Sequence, residues 1–337
     1  MKRSMLVLVI ISCFFISCNN RDELQKKKIF SGRFLNYIVD SLPISVTVNP
    51  IYWKLNSDNM VICSPINQDG VLSVFSFPAM NYLYSGIRKG RAEGEYLGVN
   101  WASSLLDDII TIYDIPNKKM RSYLISSDTL HFRKEYELTE KNQEKNLTMP
   151  YVSMLQLDET FFITRASSPN LDQLKLQNME SGQTISMIPE LFDRNHNRDQ
   201  YLDYDYVFAY GNNCLVKAYY YLNRIEIFQR KDDYTFSPRT VVGSSENYER
   251  NLDAEDKIVY YQDIFCTNNF IYLLFSGEKE GLNAKSVVEI FDYDGNFVYM
   301  ISLDRPLSMI LLDENNKNLY GFDSFAGPDY VYVYNYE

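Results

Sequence analysis

Apolar positions along the chain fall in short runs separated by polar steps, not in the stripe of an amphipathic helix. The clearest block spans Val259 to Leu303. The run Tyr260-Tyr261-Gln262-Asp263-Ile264-Phe265-Cys266 meets the polar step Thr267-Asn268-Asn269 and resumes as Phe270-Ile271-Tyr272-Leu273-Leu274-Phe275. Two more runs, Val287 to Phe291 and Asn296 to Ile301, are joined by Asp292-Tyr293-Asp294-Gly295. Runs of this length, rich in Tyr, Phe, Ile and Val, predict strands. Asp-Gly between two of them predicts a tight hairpin, because such a turn needs positive φ. Four short strands joined in this way make one antiparallel sheet.

The same step recurs. Second strands are expected to begin at Met60, Ile109, Phe161, Cys214, Phe270 and Leu319, each after a polar turn containing Asn or Asp. Subtracting neighbours gives spacings of 49, 52, 53, 56 and 49. Asn and Asp suit these turns because their side chains bond nearby backbone and tolerate left-handed geometry. A four-stranded unit at such a period predicts a propeller blade; the alternative is a β-sandwich with coincidental spacing. The expected blades are 50–88, 100–137, 150–188, 203–241, 258–303 and 305–336. The last holds only three strands, and an open edge exposes backbone donors and acceptors. Residues 33–39 are expected to supply the fourth. The expected fold is therefore all-β: a six-bladed β-propeller of four-stranded antiparallel blades, the last completed by the N-terminal strand.

The first residues read differently. Lys2-Arg3 precede an apolar run from Met5 to Ile16, followed by Ser17-Cys18 and a polar stretch. This is the pattern of a secretory signal, too short for a membrane span. Phe15-Ile16-Ser17-Cys18 resembles a bacterial lipobox, with Phe15 where Leu is usual. The resemblance implies lipidation of Cys18, a signal peptide over 1–17 and a tether over 18–30, ahead of the propeller at 31–337. Ile10-Ile11-Ser12-Cys13 is a rival match that leaves a short apolar core, and a plain cleaved signal is a further alternative. Acyl chains would hold the protein on a membrane without a spanning helix.

Composition narrows the function. The 337 residues include 28 Tyr and 20 Phe, and the net charge is −11. So acidic a chain lacks the basic face that nucleic-acid phosphates demand, so no nucleic acid is expected as a partner. Cys63, Cys214 and Cys266 lie in strands of three different blades without a C-x-x-C or a nearby His, and read as buried free thiols. His131 and His196 are the only histidines. Asp193 to Asp199 alternates oxygen-bearing side chains like a calcium loop, but Arg198 stands where that loop needs Gly and Tyr204 where it needs Glu. No Gly-x-Ser-x-Gly, His-Glu-x-x-His or phosphate-cradling loop is present. No catalytic residue, metal site or cofactor is expected, and Asp107-Asp108 reads as a turn.

The chain resembles the TolB-like six-bladed propeller lipoproteins of Bacteroidetes. The resemblance rests on the lipobox, on Gly86-Ile87-Arg88-Lys89-Gly90-Arg91-Ala92-Glu93-Gly94-Glu95-Tyr96, and on Phe291 to Asn296 continuing through Ile301-Ser302-Leu303-Asp304-Arg305-Pro306 to Asp313-Glu314-Asn315. Ala92 replaces the family's Pro. The resemblance implies the fold and a cell-envelope location, lipid-anchored to the outer membrane on its periplasmic or outer face. Asp40-Ser41-Leu42 and Asp128-Thr129-Leu130 resemble O-glycosylation motifs of the same bacteria.

In a propeller, connections from each outer strand to the next inner strand gather around the axis. Here they include 86–100, 139–149, 189–202 and 243–257, long and charged, whereas the hairpins are short. Long loops on a rigid scaffold carry binding. Arg88, Arg91, Glu93, Glu95 and Trp101 are the candidate ligand-binding residues. The expected function is a monomeric, lipid-anchored binding or scaffold module for an envelope protein, peptide or glycan. The alternative is a propeller-type hydrolase or lactonase with a metal at the channel mouth.

Overall fold

Each apolar run forms a strand, and the strands pair in consecutive groups of four. The computed structural model describes residues 34–36, 39–45, 50–64, 70–92, 94–137, 151–168, 170–195, 197–243, 248–282, 285–323 and 329–336. The signal segment, the tether, Cys13 and Cys18 lie outside them. Two short strands come first, β1 (Phe34–Asn36) and β2 (Val39–Pro43). Blade one is β3 (Tyr52–Leu55), β4 (Asn59–Cys63), β5 (Leu72–Ser76) and β6 (Tyr82–Gly86). Blade two is β7 (Val99–Ser104), β8 (Ile109–Asp114), β9 (Lys119–Ile125) and β10 (Leu130–Glu137). Blade three is β11 (Tyr151–Gln156), β12 (Phe161–Ser168), β13 (Leu171–Asn178) and β14 (Gln183–Met187). Blade four is β15 (Tyr206–Gly211), β16 (Cys214–Tyr219), β17 (Arg224–Arg230) and β18 (Phe236–Gly243). A short helix, α1 (Tyr248–Leu252), precedes blade five: β19 (Ile258–Cys266), β20 (Ile271–Lys279), β21 (Val287–Phe291) and β22 (Phe297–Ser302). Blade six has β23 (Met309–Asp313), β24 (Asn318–Phe322) and β25 (Tyr330–Asn335).

The second strands show why the chain reads as continuous apolar runs. β4, β8 and β16 are buried at every position. Successive side chains of a strand point to opposite faces, and both faces of a blade are covered by neighbouring blades. Met60 and Ile62 pack toward blade six, whereas Val61 and Cys63 pack toward blade two. Leu215 and Tyr219 enter the core shared with blade three, and Cys214, Val216 and Ala218 the core shared with blade five. Six such apolar clusters join successive blades: one to two, two to three, three to four, four to five, five to six, and six back to one. A linear stack would leave its two end blades with one bare face. The sixth cluster, which packs Trp53 and Met60 with Tyr320 and Val331, makes the array a ring.

First strands of neighbouring blades surround the axis. β7 pairs with β11 in parallel, and β15 meets β19, β19 meets β23 and β3 meets β7. Turn chemistry follows the sequence: Asn212 and Asn213 both have positive φ, at 48° and 56°, between β15 and β16. Asp292 holds the next blade's hairpin by accepting from the backbone of Asp294 and Asn296, with Gly295 at φ 82°.

An N-terminal strand does complete blade six, but of the expected residues 33–39 only Val39 lies in it. β2 pairs antiparallel with β25, from Val39 opposite Tyr334 to Pro43 opposite Tyr330. Phe34–Asn36 instead lies parallel to β22 on the outer edge of blade five. Pro lacks a backbone N–H, so Pro43 suits an outermost strand, where one edge has no partner to bond. The correction has a simple cause. Both N-terminal runs are short and extended, and two outer edges compete for them.

Candidate functional site

The connections that cross from one blade to the next, together with the second hairpin of each blade, leave the ring on one face. The opposite face carries tight turns. Between blades one and two, Tyr96 is the anchor of the connection: it is fully buried and its hydroxyl lies 2.9 Å from that of Tyr123. The Arg121 guanidinium stacks 5.2 Å from the Tyr96 ring and bonds Glu135 at 2.6 Å. Glu95 turns inward on its own loop, accepting from the Ala92 N–H at 2.9 Å. It thus clamps its own loop through one carboxylate oxygen. Arg88 and Arg91 are exposed, and neither forms an ion pair among the described residues. Trp101 sits in β7 opposite Ile112; only its backbone position is described, and Glu93 lies outside the described residues.

Between blades three and four the same kind of connection is built on buried charge. Arg165 of β12 donates from Nε to Asp172 at 2.9 Å and from Nη1 to Asp205 at 2.5 Å. Arg194 bonds the other oxygen of Asp172 at 2.9 Å and Glu190 at 2.8 Å. Lys217 of β16 reaches Glu226 at 3.3 Å and Glu190 at 3.4 Å, and Arg224 bonds Glu226 at 2.7 Å. The four cations are buried, as are Asp172 and Glu226, while Glu190 and Asp205 open to solvent. Burial works against the Arg165 charge, but Tyr206, Asp172 and Asp205 outweigh it and raise its pKa. Its guanidinium lies 3.8 Å from the centre of the Tyr206 ring and 5.4 Å from that of Tyr201. Four cations meet four carboxylates, so the cluster is neutral, and every member ties a strand or the 188–205 connection to a neighbour.

That connection is also laced to the next one. Arg198 pairs with Asp253, and Lys257 bonds Asp203 at 2.8 Å. Asn251 of α1 bonds the Tyr221 carbonyl at 2.8 Å and both backbone groups of Ile258. The segment that looks like a calcium loop closes on itself instead. Gln200 donates to the carbonyls of Asn195 and Arg198, and Asp199 caps the N–H groups of Tyr201 and Leu202. Among the described residues, no group of three or more His, Cys, Asp or Glu side chains is placed to hold a metal.

Several charged side chains escape sequence reasoning because they sit alone inside apolar runs. Arg165 and Lys217 are two. Lys54 is a third: it crosses from blade one to the carbonyls of Ser104 and Leu106, holding the Asp107-Asp108 turn, and burial lowers its pKa to about 8. Asp263 is a fourth. It accepts the N–H of Ile264 and, across to blade six, that of Ile310 at 2.8 Å, and burial raises its pKa to about 7. A single charge within an otherwise apolar second or first strand was the available signal. The thiols carry no disulfide; burial pushes those of Cys63 and Cys266 up to about 12. His131 is exposed on β10, and His196 lies outside the described residues.

The sequence matches the pattern of the TolB-like 6-blade propeller-like family over residues 45–315. No curated protein matches it. Among solved structures it resembles a member of the DUF4221 family from Bacteroides vulgatus, with a TM-score of 0.58 and 10% identity over 90% of this chain and 98% of that one. It also resembles a Bacteroides fragilis protein described as exported, with a TM-score of 0.54 and 12% identity over 88% and 94%. The Cps50 (Swd1) β-propeller domain of Myceliophteria thermophila gives 0.52 and 8% over 89% and 100%. At these identities the likeness is one of fold.

Proposed function

The chain belongs to the TolB-like 6-blade propeller-like family, and from that premise we propose that it is a binding module of the cell envelope. Lipid on Cys18 anchors it to the outer membrane, and the face of inter-blade connections receives an envelope protein, peptide or glycan. The observation that carries this reading is the contrast within that face. In the 188–205 and 243–257 connections most described charges are consumed in ion pairs within the protein, whereas Arg88 and Arg91 are held out to solvent on a loop pinned by buried Tyr96. Cations fixed in position without a partner cost nothing to the fold and are open to an external acceptor. The Bacteroides fragilis neighbour described as exported is consistent with an anchored ectodomain.

The test is affinity capture from solubilised envelopes with the full-length protein. A specific partner retained by the wild type and lost by Arg88→Ala/Arg91→Ala, with an unchanged melting temperature, supports the reading. The same capture by both proteins removes these residues from it. Incorporation of labelled palmitate that disappears in Cys18→Ser tests the anchor separately.

A further inference from the structure

The opposite face, with its tight turns, holds a polar cavity of about 180 Å³ in blade four, lined by Asn213, Arg230, Lys231, Asp232 and Tyr234. Its walls are the β15–β16 turn and the β17–β18 turn. The two are joined through the Asn213 carbonyl, which accepts from the Arg230 backbone at 2.9 Å and from Gln229 Nε2 at 3.0 Å. The Arg230 guanidinium lies 5.6 Å from the centre of the Tyr210 ring and 5.3 Å from that of Tyr234. Tyr234 is in turn fixed from blade three: its ring centre lies 4.8 Å from that of Phe161, and its carbonyl accepts from the Ser186 hydroxyl at 3.0 Å. Two rings thus set the position of the guanidinium, and neither supplies a negative charge.

We propose that this cavity binds the carboxylate of an acidic sugar, such as a uronic-acid residue of a glycan. The state of Arg230 carries the assignment. Seven described arginines are at least partly buried. Six of them, Arg121, Arg165, Arg194, Arg198, Arg224 and Arg305, each pair with a carboxylate. Arg230 is the seventh, and its side chain has neither an ion pair nor a hydrogen bond among the described residues. A half-buried guanidinium with unmet donors has lost hydration without return, and its planar fork fits a carboxylate. Lys231, exposed beside it, adds a second cation with no ion pair among the described residues. Two further groups select the rest of the ligand. Asp232 lines the cavity, exposed and likewise without an ion pair among the described residues. It repels a bare inorganic anion, whereas sugar hydroxyls donate to it. Asn213 spends its side-chain oxygen on the Tyr210 hydroxyl at 3.3 Å, which leaves its amide donors for a sugar oxygen. The carboxylate side chain of a peptide brings no hydroxyl for either group. Arg88, Arg91 and the face of connections take no part, so the site stands whether or not that face receives a partner.

The test is calorimetric titration of the full-length protein with glucuronate, glucose, acetate and inorganic phosphate. Glucuronate should bind, weaken with salt, and exceed each of the other three in affinity by about tenfold or more. Arg230→Gln should lower glucuronate affinity by about tenfold or more. Lys231→Ala changes an exposed side chain and should lower it by about threefold at an unchanged melting temperature. Asp232→Asn should narrow the gap between glucuronate and phosphate. Glucose, acetate or phosphate binding as tightly as glucuronate overturns the proposal, as does the absence of heat from glucuronate at millimolar concentration. Unchanged glucuronate affinity in both Arg230→Gln and Lys231→Ala overturns it as well. Arg88→Ala/Arg91→Ala should bind glucuronate like the wild type, so loss of envelope capture and loss of sugar binding are read separately.

Discussion

The connections leaving blade one and blade three lie on the same face and end in opposite states. The first runs from Gly86 to Val99 and carries Arg88 and Arg91 into solvent without an ion pair among the described residues. The second buries Arg194 to 6% exposure and binds it to Asp172 and Glu190. Both look alike as sequence, a charged stretch between strands. The difference teaches that charge in a loop indicates binding only after the fold has taken its share. A desolvated cation has to find a carboxylate within the protein, because the cost of burying it alone is several kcal/mol. An exposed one need not, and stays available.

The comparison breaks first at Asp172. Its carboxylate, fully buried, accepts both Arg165 and Arg194. Asp172→Ala leaves two buried guanidinium groups short of a partner and should cost about 3–5 kcal/mol in chemical denaturation. A loss under about 1 kcal/mol would mean that water reaches the cluster and that the two connections differ less than their burial implies.

A half-buried carboxylate gives the next effect. Among the described residues Glu289 has no cation and accepts from the Tyr261 hydroxyl at 3.5 Å, and burial raises its pKa from 4.5 to about 7. A raised acid binds its proton more tightly in the folded state, so stability present below pH 4.5 is lost as pH rises to 7. With its partial exposure, the loss is on the order of 2 kcal/mol. Glu289→Gln should therefore melt higher than the wild type at pH 8 and show a flatter decline from pH 5 to pH 8, on the order of that loss. Parallel pH profiles for the two proteins would place the carboxylate in water.

Close packing between blades four and five supplies a control without charge. A Cβ on Gly211 would stand 2.6 Å from the Thr267 carbonyl oxygen and 2.3 Å from the Tyr293 hydroxyl. Gly211→Ala should destabilise by about 1–3 kcal/mol, with no change in pH slope. The smallest effect sharpens the other end: Arg88→Ala/Arg91→Ala should alter stability by less than about 0.5 kcal/mol. A larger loss would show that the first connection is fastened by its charges too.

Much of the ring was legible along the chain. The second strands start at Asn59, Ile109, Phe161, Cys214, Ile271 and Asn318, at or next to the positions that the polar turns mark. The reason is local. Asn and Asp turns act over three or four residues, and a strand buried on both faces must be apolar throughout, so both signals are written in consecutive positions. Candidate site residues were legible only in part, since Arg88 and Glu95 read alike until Glu95 is seen clamped to Ala92.

The repeat is thus written in the chain: how many units, of what kind, and where each turns. Tertiary structure decided which N-terminal run closes the sixth blade, because β2 and β25 stand some 290 residues apart in the chain and two sheet edges were open to the same segment. It also decided which charges are spent. Arg165 meets Asp205 forty positions away and Lys217 meets Glu190 across a blade boundary, and such pairs form only where packing brings distant strands together and excludes water from between them.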